Sequence, residues 1–344
     1  MKVFCAVERQ RVHDPRSFLV NGAPQPNPEV PERLDRLLAA ARAGGHELAE
    51  PADHGLGPIA AVHTPQYLRF LRHIYERWAR IPGASAEVIP NIHPDRREAS
   101  YPLSAVGQAG YHMADTACPI GPGSWESIYW SAQSAVGAAV AVLDGAPVAY
   151  ALCRPPGHHA FADLAGGFCF VNNAAVAATV LRRQHARVAI VDVDLHHGNG
   201  TQGIFYRRAD VLTVSIHADP VRFYPFFWGH AHERGEGPGL GYNLNLPLPR
   251  GSADKAFLEA LDRGLEDVTA FAPGALVVAL GLDAFEGDPF GGLSVTTPGF
   301  GEIARRLARL GLPTVIVQEG GYLCDALGDN LAAFLAGFEG ALSP

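Results

Sequence analysis

Six short runs of this chain are wholly or nearly apolar and do not alternate with polar residues: VFCAV (3–7), VAYALC (148–153), RVAIVDV (187–193), VLTVSIH (211–217), ALVVALG (275–281) and PTVIVQ (313–318). Strands that read this way are buried on both faces, as in a parallel sheet covered by helices. Between them, residues 31–43, 65–79, 125–144, 172–184, 253–271, 298–310 and 326–340 carry apolar side chains at a spacing near 3.6. The first of these begins with Pro31, which suits the first turn of a helix. Strand and helix alternate, which predicts an α/β fold: a doubly wound, central parallel sheet with helices on both faces. Residues 80–104 and 218–251 read instead as long loops rich in Pro and Gly. Loops of that length in a compact domain carry function or contact a partner. No repeat or linker divides the chain, so residues 1–344 read as a single domain.

Charge and cysteine content narrow the class. The formal net charge is −8, the wrong sign for a nucleic-acid-binding face. No apolar run approaches the roughly 20 residues needed to span a bilayer. Cys5, Cys118, Cys153, Cys169 and Cys324 are scattered, with no C-x-x-C pair, which argues against a disulfide framework and for reduced thiols. The expectation is a cytoplasmic protein with no nucleic-acid or membrane partner.

Ionisable groups gather where four of the runs end. Open α/β sheets bind their ligands at the carboxyl ends of the strands. After RVAIV comes D-V-D-L-H-H-G-N-G-T. Asp192, Asp194 and His196 are spaced by two, so in an extended chain they share one face. Dense His/Asp sets are costly to bury unpaired and suit a divalent metal. After VAYALC comes R-P-P-G-H-H-A, which places His158 and His159, candidate general acid and base, on a Pro/Gly-stiffened turn. After ALVVALG, Asp283 can complete a metal site that leaves a position open for water. After PTVIVQ, E-G-G-Y presents Tyr322, a candidate oxyanion donor. Each cluster alone has a bland reading: an ion-pair network, a surface histidine pair, a turn-forming Asp, a core tyrosine. Four clusters at four strand ends are far more specific.

With G-G-F-C-F-V-N-N (166–173) and G-L-D-A-F-E-G-D-P (281–289), these motifs resemble the zinc-dependent histone deacetylase family, and within it the bacterial acetylpolyamine amidohydrolases. The likeness runs from about residue 30 to the C-terminus. It implies the arginase/deacetylase fold with a parallel sheet of about eight strands. It implies one zinc per chain on Asp194, His196 and Asp283, and a tandem acid/base pair in His158 and His159. Tyr322 would hold the oxyanion. Asp192 would orient His158 and, with Ser215, bind a structural potassium ion. Asn199 would orient His159. Gly167, Phe168 and Tyr224 would line an apolar tunnel, with Arg33 near an acetate exit. The reaction implied is removal of an acetyl group from an N-acetylated amine, with water activated by zinc and the tandem histidines.

One departure bears on the substrate. Polyamine-type members carry two glutamates near the mouth, and alignment puts Val106 and Ala117 at those places, with Asp115 close but out of register. Long-range attraction of a polycation weakens without those carboxylates. The reaction class is thus firmer than the substrate, which is a small N-acetylated amine, acetylpolyamine-like or acetyl-lysine-like. Residues 80–104 resemble the insertion that packs subunits together, so a homodimer is expected. Two alternatives remain: an arginase-like dimanganese ureohydrolase and a catalytically silent, ligand-binding relative.

Overall fold

A computed structural model describes residues 1–95 and 100–342. Eight strands form one sheet: β1 (Lys2–Phe4), β4 (Glu47–Ala49), β5 (Val148–Ala151), β6 (Val188–Asp192), β7 (Val211–Ala218), β8 (Asn243–Leu248), β9 (Ala275–Leu280) and β10 (Thr314–Gln318). The order is β4-β1-β5-β10-β9-β6-β7-β8, and every neighbouring pair is parallel. A two-stranded antiparallel hairpin, β2 (Ser17–Val20) and β3 (Ala23–Pro26), stands apart from it.

The apolar runs have the cause anticipated for them. Along β6, Ala189 and Val191 join one buried cluster, while Val188 and Ile190 join another. On β9, Leu276 and Val278 likewise separate from Val277 and Ala279. Successive side chains point to opposite faces, so each face carries its own core. Helices Pro31–Ala43, Asp254–Phe271, Thr297–Ala308 and Leu327–Leu342 supply the first. Helices Pro65–Trp78, Ser124–Leu143 and Asn173–Leu181 supply the second.

Three features depart from the sequence reading. Residues 218–251 contain β8, which pairs with β7 at the sheet edge. β4 and the hairpin had no apolar run to mark them. The insertion at 80–104, by contrast, is the loop expected, with no helix or strand among its described residues; 96–99 lie outside those residues.

The topology also explains where the site lies. Strands β5, β10, β9 and β6 are four consecutive neighbours in the middle of the sheet. Their carboxyl ends lead into the histidine pair, the E-G-G-Y turn, Asp283 and the Asp192–His196 stretch. Clusters far apart in sequence therefore meet along one rim.

Candidate active site

Val191, Val193 and Leu195 share one core cluster, as the even spacing of Asp192, Asp194 and His196 implies, but β6 itself ends at Asp192. The chain leaves the strand and turns, and the aspartates hold the turns. Asp192 Oδ1 accepts the N–H of Asp194 (3.0 Å), and Asp194 Oδ1 accepts that of His196 (2.8 Å). A carboxylate bonding the backbone two residues on is the usual way Asp shapes a turn. Asp194 and His196 still converge with Asp283. His196 Nδ1 lies 3.4 Å from Asp194 Oδ1 and 3.1 Å from Asp283 Oδ2. One ligand atom from each of the three lies within 4.8 Å of the others, and all three residues are buried.

These residues fit a divalent ion. Two buried carboxylates aimed at one imidazole nitrogen make an oxygen/nitrogen donor set of the kind zinc takes. Burial and then the charge of Asp194 push the Asp283 carboxyl up, so the pair is ill-matched without a cation. The backbone also makes room. A Cβ on Gly320 would stand 2.3 Å from Asp283 Oδ2 and 2.5 Å from Asp194 Oδ2, so only glycine permits this approach. The Gly320 N–H instead donates to Asp194 Oδ2 at 2.8 Å.

The tandem histidines hang beside this set, their ring centroids 4.0 Å apart. Arg154 anchors their turn, its buried guanidinium donating to the carbonyls of Gln10, His13 and Glu29. The Asn172 amide holds the far side through the carbonyl of Ala160. His158 Nδ1 pairs with Asp192 Oδ2 at 3.0 Å, and His159 Nδ1 pairs with Asn199 Oδ1 at 2.7 Å. Each Nδ1 therefore donates, which leaves Nε2 of each ring for chemistry. His197 turns away from the site, its Nε2 against Asn245 Oδ1 at 3.2 Å.

Above these groups opens a cavity of about 690 Å³, whose wall includes His159, His196 and Tyr322. Two files of aromatic rings run outward. On one side Tyr224 stands edge-on to His159 (4.9 Å), followed by Phe226 (6.4 Å) and the largely exposed Phe227 (6.5 Å). On the other, Tyr322 meets Phe168 (5.8 Å), which meets Phe18 of the hairpin (5.5 Å). Gly167 also lines the cavity, in a left-handed conformation (φ +52°). The Tyr322 ring packs edge-on to Phe290 at 4.7 Å, with the Arg33 guanidinium 4.6 Å over its face. Burial raises its phenol well above 10, so the hydroxyl remains a donor.

Two residues were missed or misjudged at the mouth. Asp115 lines the cavity and ties three of its parts together: Oδ2 accepts from Tyr224 Oη (2.7 Å) and the Gly167 N–H (3.1 Å), and Oδ1 accepts from the Ala117 N–H (2.9 Å). No motif marks it. Ala117 does line the cavity, whereas Val106 packs against the core on the helix Ala105–His112, beside Arg77 and Ile81. The position aligned with a substrate-facing glutamate is therefore not in this cavity wall.

Comparison with known proteins agrees with the geometry. The histone deacetylase domain matches residues 27–338. The chain belongs to the histone deacetylase family. An acetylpolyamine amidohydrolase of Burkholderia pseudomallei is 52% identical over 334 residues, covering 97% of each chain. The acetylpolyamine amidohydrolase of Mycoplana ramosa is 41% identical over 336 residues, covering 97% of this chain and 98% of that one. A crystal structure of the acetylpolyamine aminohydrolase from Burkholderia pseudomallei superposes with a TM-score of 0.96 at 51% identity, covering 99% of both chains. For a deacetylase of this family, the eight-stranded parallel sheet and its helices are the expected scaffold, and zinc dependence is general.

Proposed function

We propose that this chain is a zinc-dependent amidohydrolase that removes an acetyl group from a small N-acetylated amine, acetylpolyamine-like or acetyl-lysine-like. The observation that carries the reading is the convergence of Asp194, His196 and Asp283 beside His158, His159 and Tyr322 under an aromatic-walled cavity. Asp194, His196 and Asp283 would hold one zinc ion, whose chemistry is Lewis acidity towards the acetyl carbonyl and towards water. His159, neutral beside Asn199, takes the proton of the attacking water at Nε2 and returns it to the leaving amine. His158, beside Asp192, stays charged and supports the negative charge that develops. Tyr322 donates its hydroxyl to the oxyanion. Tyr224, Phe168 and Gly167 align the aliphatic chain of the substrate, and acetate and a free amine leave.

Further parts of the reading have structural support. Asp192 and Ser215 are register partners across β6 and β7, which suits a shared potassium ion. Ser215 Oγ lies 2.8 Å from His217 Nδ1. Arg33 donates to the carbonyls of Gly321 and Glu319, a place consistent with a role in acetate exit. Exposed Ile92 and Leu103 in the insertion support a homodimer. No helix among the described residues is long and apolar enough to cross a membrane, and the five cysteines are free, which supports the cytoplasm. A dimanganese ureohydrolase needs hard oxygen donors around a second ion. Among the described residues, the other donor group near the site, His158, Cys169 and Glu319, offers a thiol instead, which favours one zinc.

Metal analysis of the purified protein, with acetylcadaverine, acetylspermidine and an acetyl-lysine peptide assayed before and after chelation, tests the proposal. One zinc per chain and chelator-sensitive acetate release are expected. Two manganese ions per chain, or no release from any substrate, would refute it.

A further inference from the structure

Glu319 stands where β10 ends and the turn to Tyr322 begins, wholly buried. Its backbone belongs to the sheet and to the Tyr322 turn: the N–H donates to Leu280 O (2.8 Å), and the carbonyl accepts from Arg33 Nη2 (2.9 Å). Its side chain belongs to the other half of the site. Oε2 accepts the N–H of Gly157 at 2.6 Å and of His158 at 3.0 Å, the two amides at the base of the histidine turn. Oε1 has no hydrogen-bond partner among the described residues. A carboxylate oxygen of Glu319, a ring nitrogen of His158 and the Cys169 thiol lie within 4.8 Å of one another.

Both donors are neutral backbone amides and both bond one oxygen. An ionised carboxylate has about four acceptor sites to satisfy, and leaving one oxygen bare in a buried place is costly. What the turn takes from Glu319 is therefore an acceptor oxygen at a set reach. The side-chain bonds to Asp192 and Asn199 orient the two rings, whereas Glu319 holds the backbone from which both rings hang. It also couples that backbone to the strand that carries Tyr322.

We infer that Glu319 is a positioning residue, acting through an acceptor oxygen and not through charge, that keeps His158 and His159 in register with Tyr322. This rests on the amidohydrolase reading above. Outer partners of this kind affect activity by roughly 10–100-fold in metal enzymes.

Glu319→Gln and Glu319→Asp separate reach from charge. Gln keeps the length and an acceptor oxygen; Asp keeps the carboxyl group but is one methylene too short to meet both amides. E319Q is expected to hold kcat within about twofold of wild type, and E319D to lose on the order of 10–100-fold. KM and zinc content should stay the same in both. Hydrogen exchange at residues 157 and 158 should remain slow in E319Q and quicken in E319D. The inference is overturned if E319D matches or exceeds E319Q in kcat, or if both exchange alike. Absence of turnover in the wild type would count against the amidohydrolase reading alone, and the exchange measurement would still decide the role of Glu319.

Discussion

Asn199 Oδ1 lies 2.7 Å from His159 Nδ1, while the adjacent His158 has the carboxyl group of Asp192 as its partner at 3.0 Å. Two neighbouring imidazoles on one turn are thereby driven apart. Burial lowers both. At His158 the charges of Asp194 and Asp192 outweigh burial and carry the ring up to about 10. At His159 burial, helped by His158 and His196, holds the ring well below 6.5. His159 must be neutral to accept a proton, so the acid limb of kcat/KM should fall below pH 6.5. Asn199→Asp sets a carboxylate against that ring and should raise its pKa by roughly 1–3 units. The limb then moves to higher pH, with activity at pH 6 reduced more than activity at pH 8. Paired pH–rate profiles read this directly, and a limb that stays put or moves to lower pH refutes the assignment of His159 as base.

Tyr322 is fixed between Phe290 and Arg33, and its phenol stays protonated. Phe at this position preserves the packing and removes one oxyanion donor. Tyr322→Phe should lower kcat by ~10²-fold or more with full zinc content. An unchanged kcat would take the hydroxyl out of the mechanism.

Asp283 makes two contacts that a variant separates. Oδ2 faces His196, and Oδ1 accepts the Leu195 N–H at 3.0 Å. Asp283→Ala should therefore lose zinc, and it should also cost about 1–3 kcal/mol of stability through the stranded amide. Metal content and a denaturation midpoint measure the two effects. Retention of a full equivalent of zinc would place the third ligand elsewhere.

The central strands could be read from sequence because burial on both faces leaves no polar position to confuse the pattern. β8 could not, because Asn243 and Asn245 are buried polar residues whose amides both donate to Gln202 Oε1 (3.0 and 2.8 Å), a satisfaction invisible in one dimension. β4 has only three residues at a sheet edge. In the site, Asp194, His196 and Asp283 were legible as polar interruptions at the ends of apolar runs. The alternation behind Asp194 and His196 persists, with Val191, Val193 and Leu195 in one core cluster, but the strand itself stops at Asp192 and carboxylate-capped turns carry the pattern on. Asp115 was noticed only for lying near an aligned position, because the partners that bring it to the cavity, Gly167 and Tyr224, lie 52 and 109 residues away. Glu319 was passed over because E-G-G-Y was read for its glycines and tyrosine.

Gly167 tests whether the cavity wall beside His159 is set by backbone shape. Its φ is +52°, and a Cβ there would lie 2.5 Å from His159 Cδ2 and 2.8 Å from Tyr224 Oη. Alanine is thus strained by its conformation and collides with two groups that border the substrate path. Either ring must shift by tenths of an ångström or more. A displacement of about 1 Å at reacting groups can cost ~10²-fold, so Gly167→Ala should lower kcat/KM by at least tenfold on that scale. The nearest atoms to that Cβ belong to His159 and Tyr224 and not to Asp194, His196 or Asp283, so metal content should stay at one per chain. The neighbouring Gly166→Ala is the control, because the nearest atoms its Cβ would meet are farther off: Asp115 Oδ2 at 3.2 Å, Ala114 Cβ at 3.3 Å and Tyr224 Oη at 3.5 Å. Its loss should be several-fold smaller. Equal losses in the two variants would mean that the loop tolerates or refuses side chains as a whole, and that the close approach to His159 does not shape the tunnel.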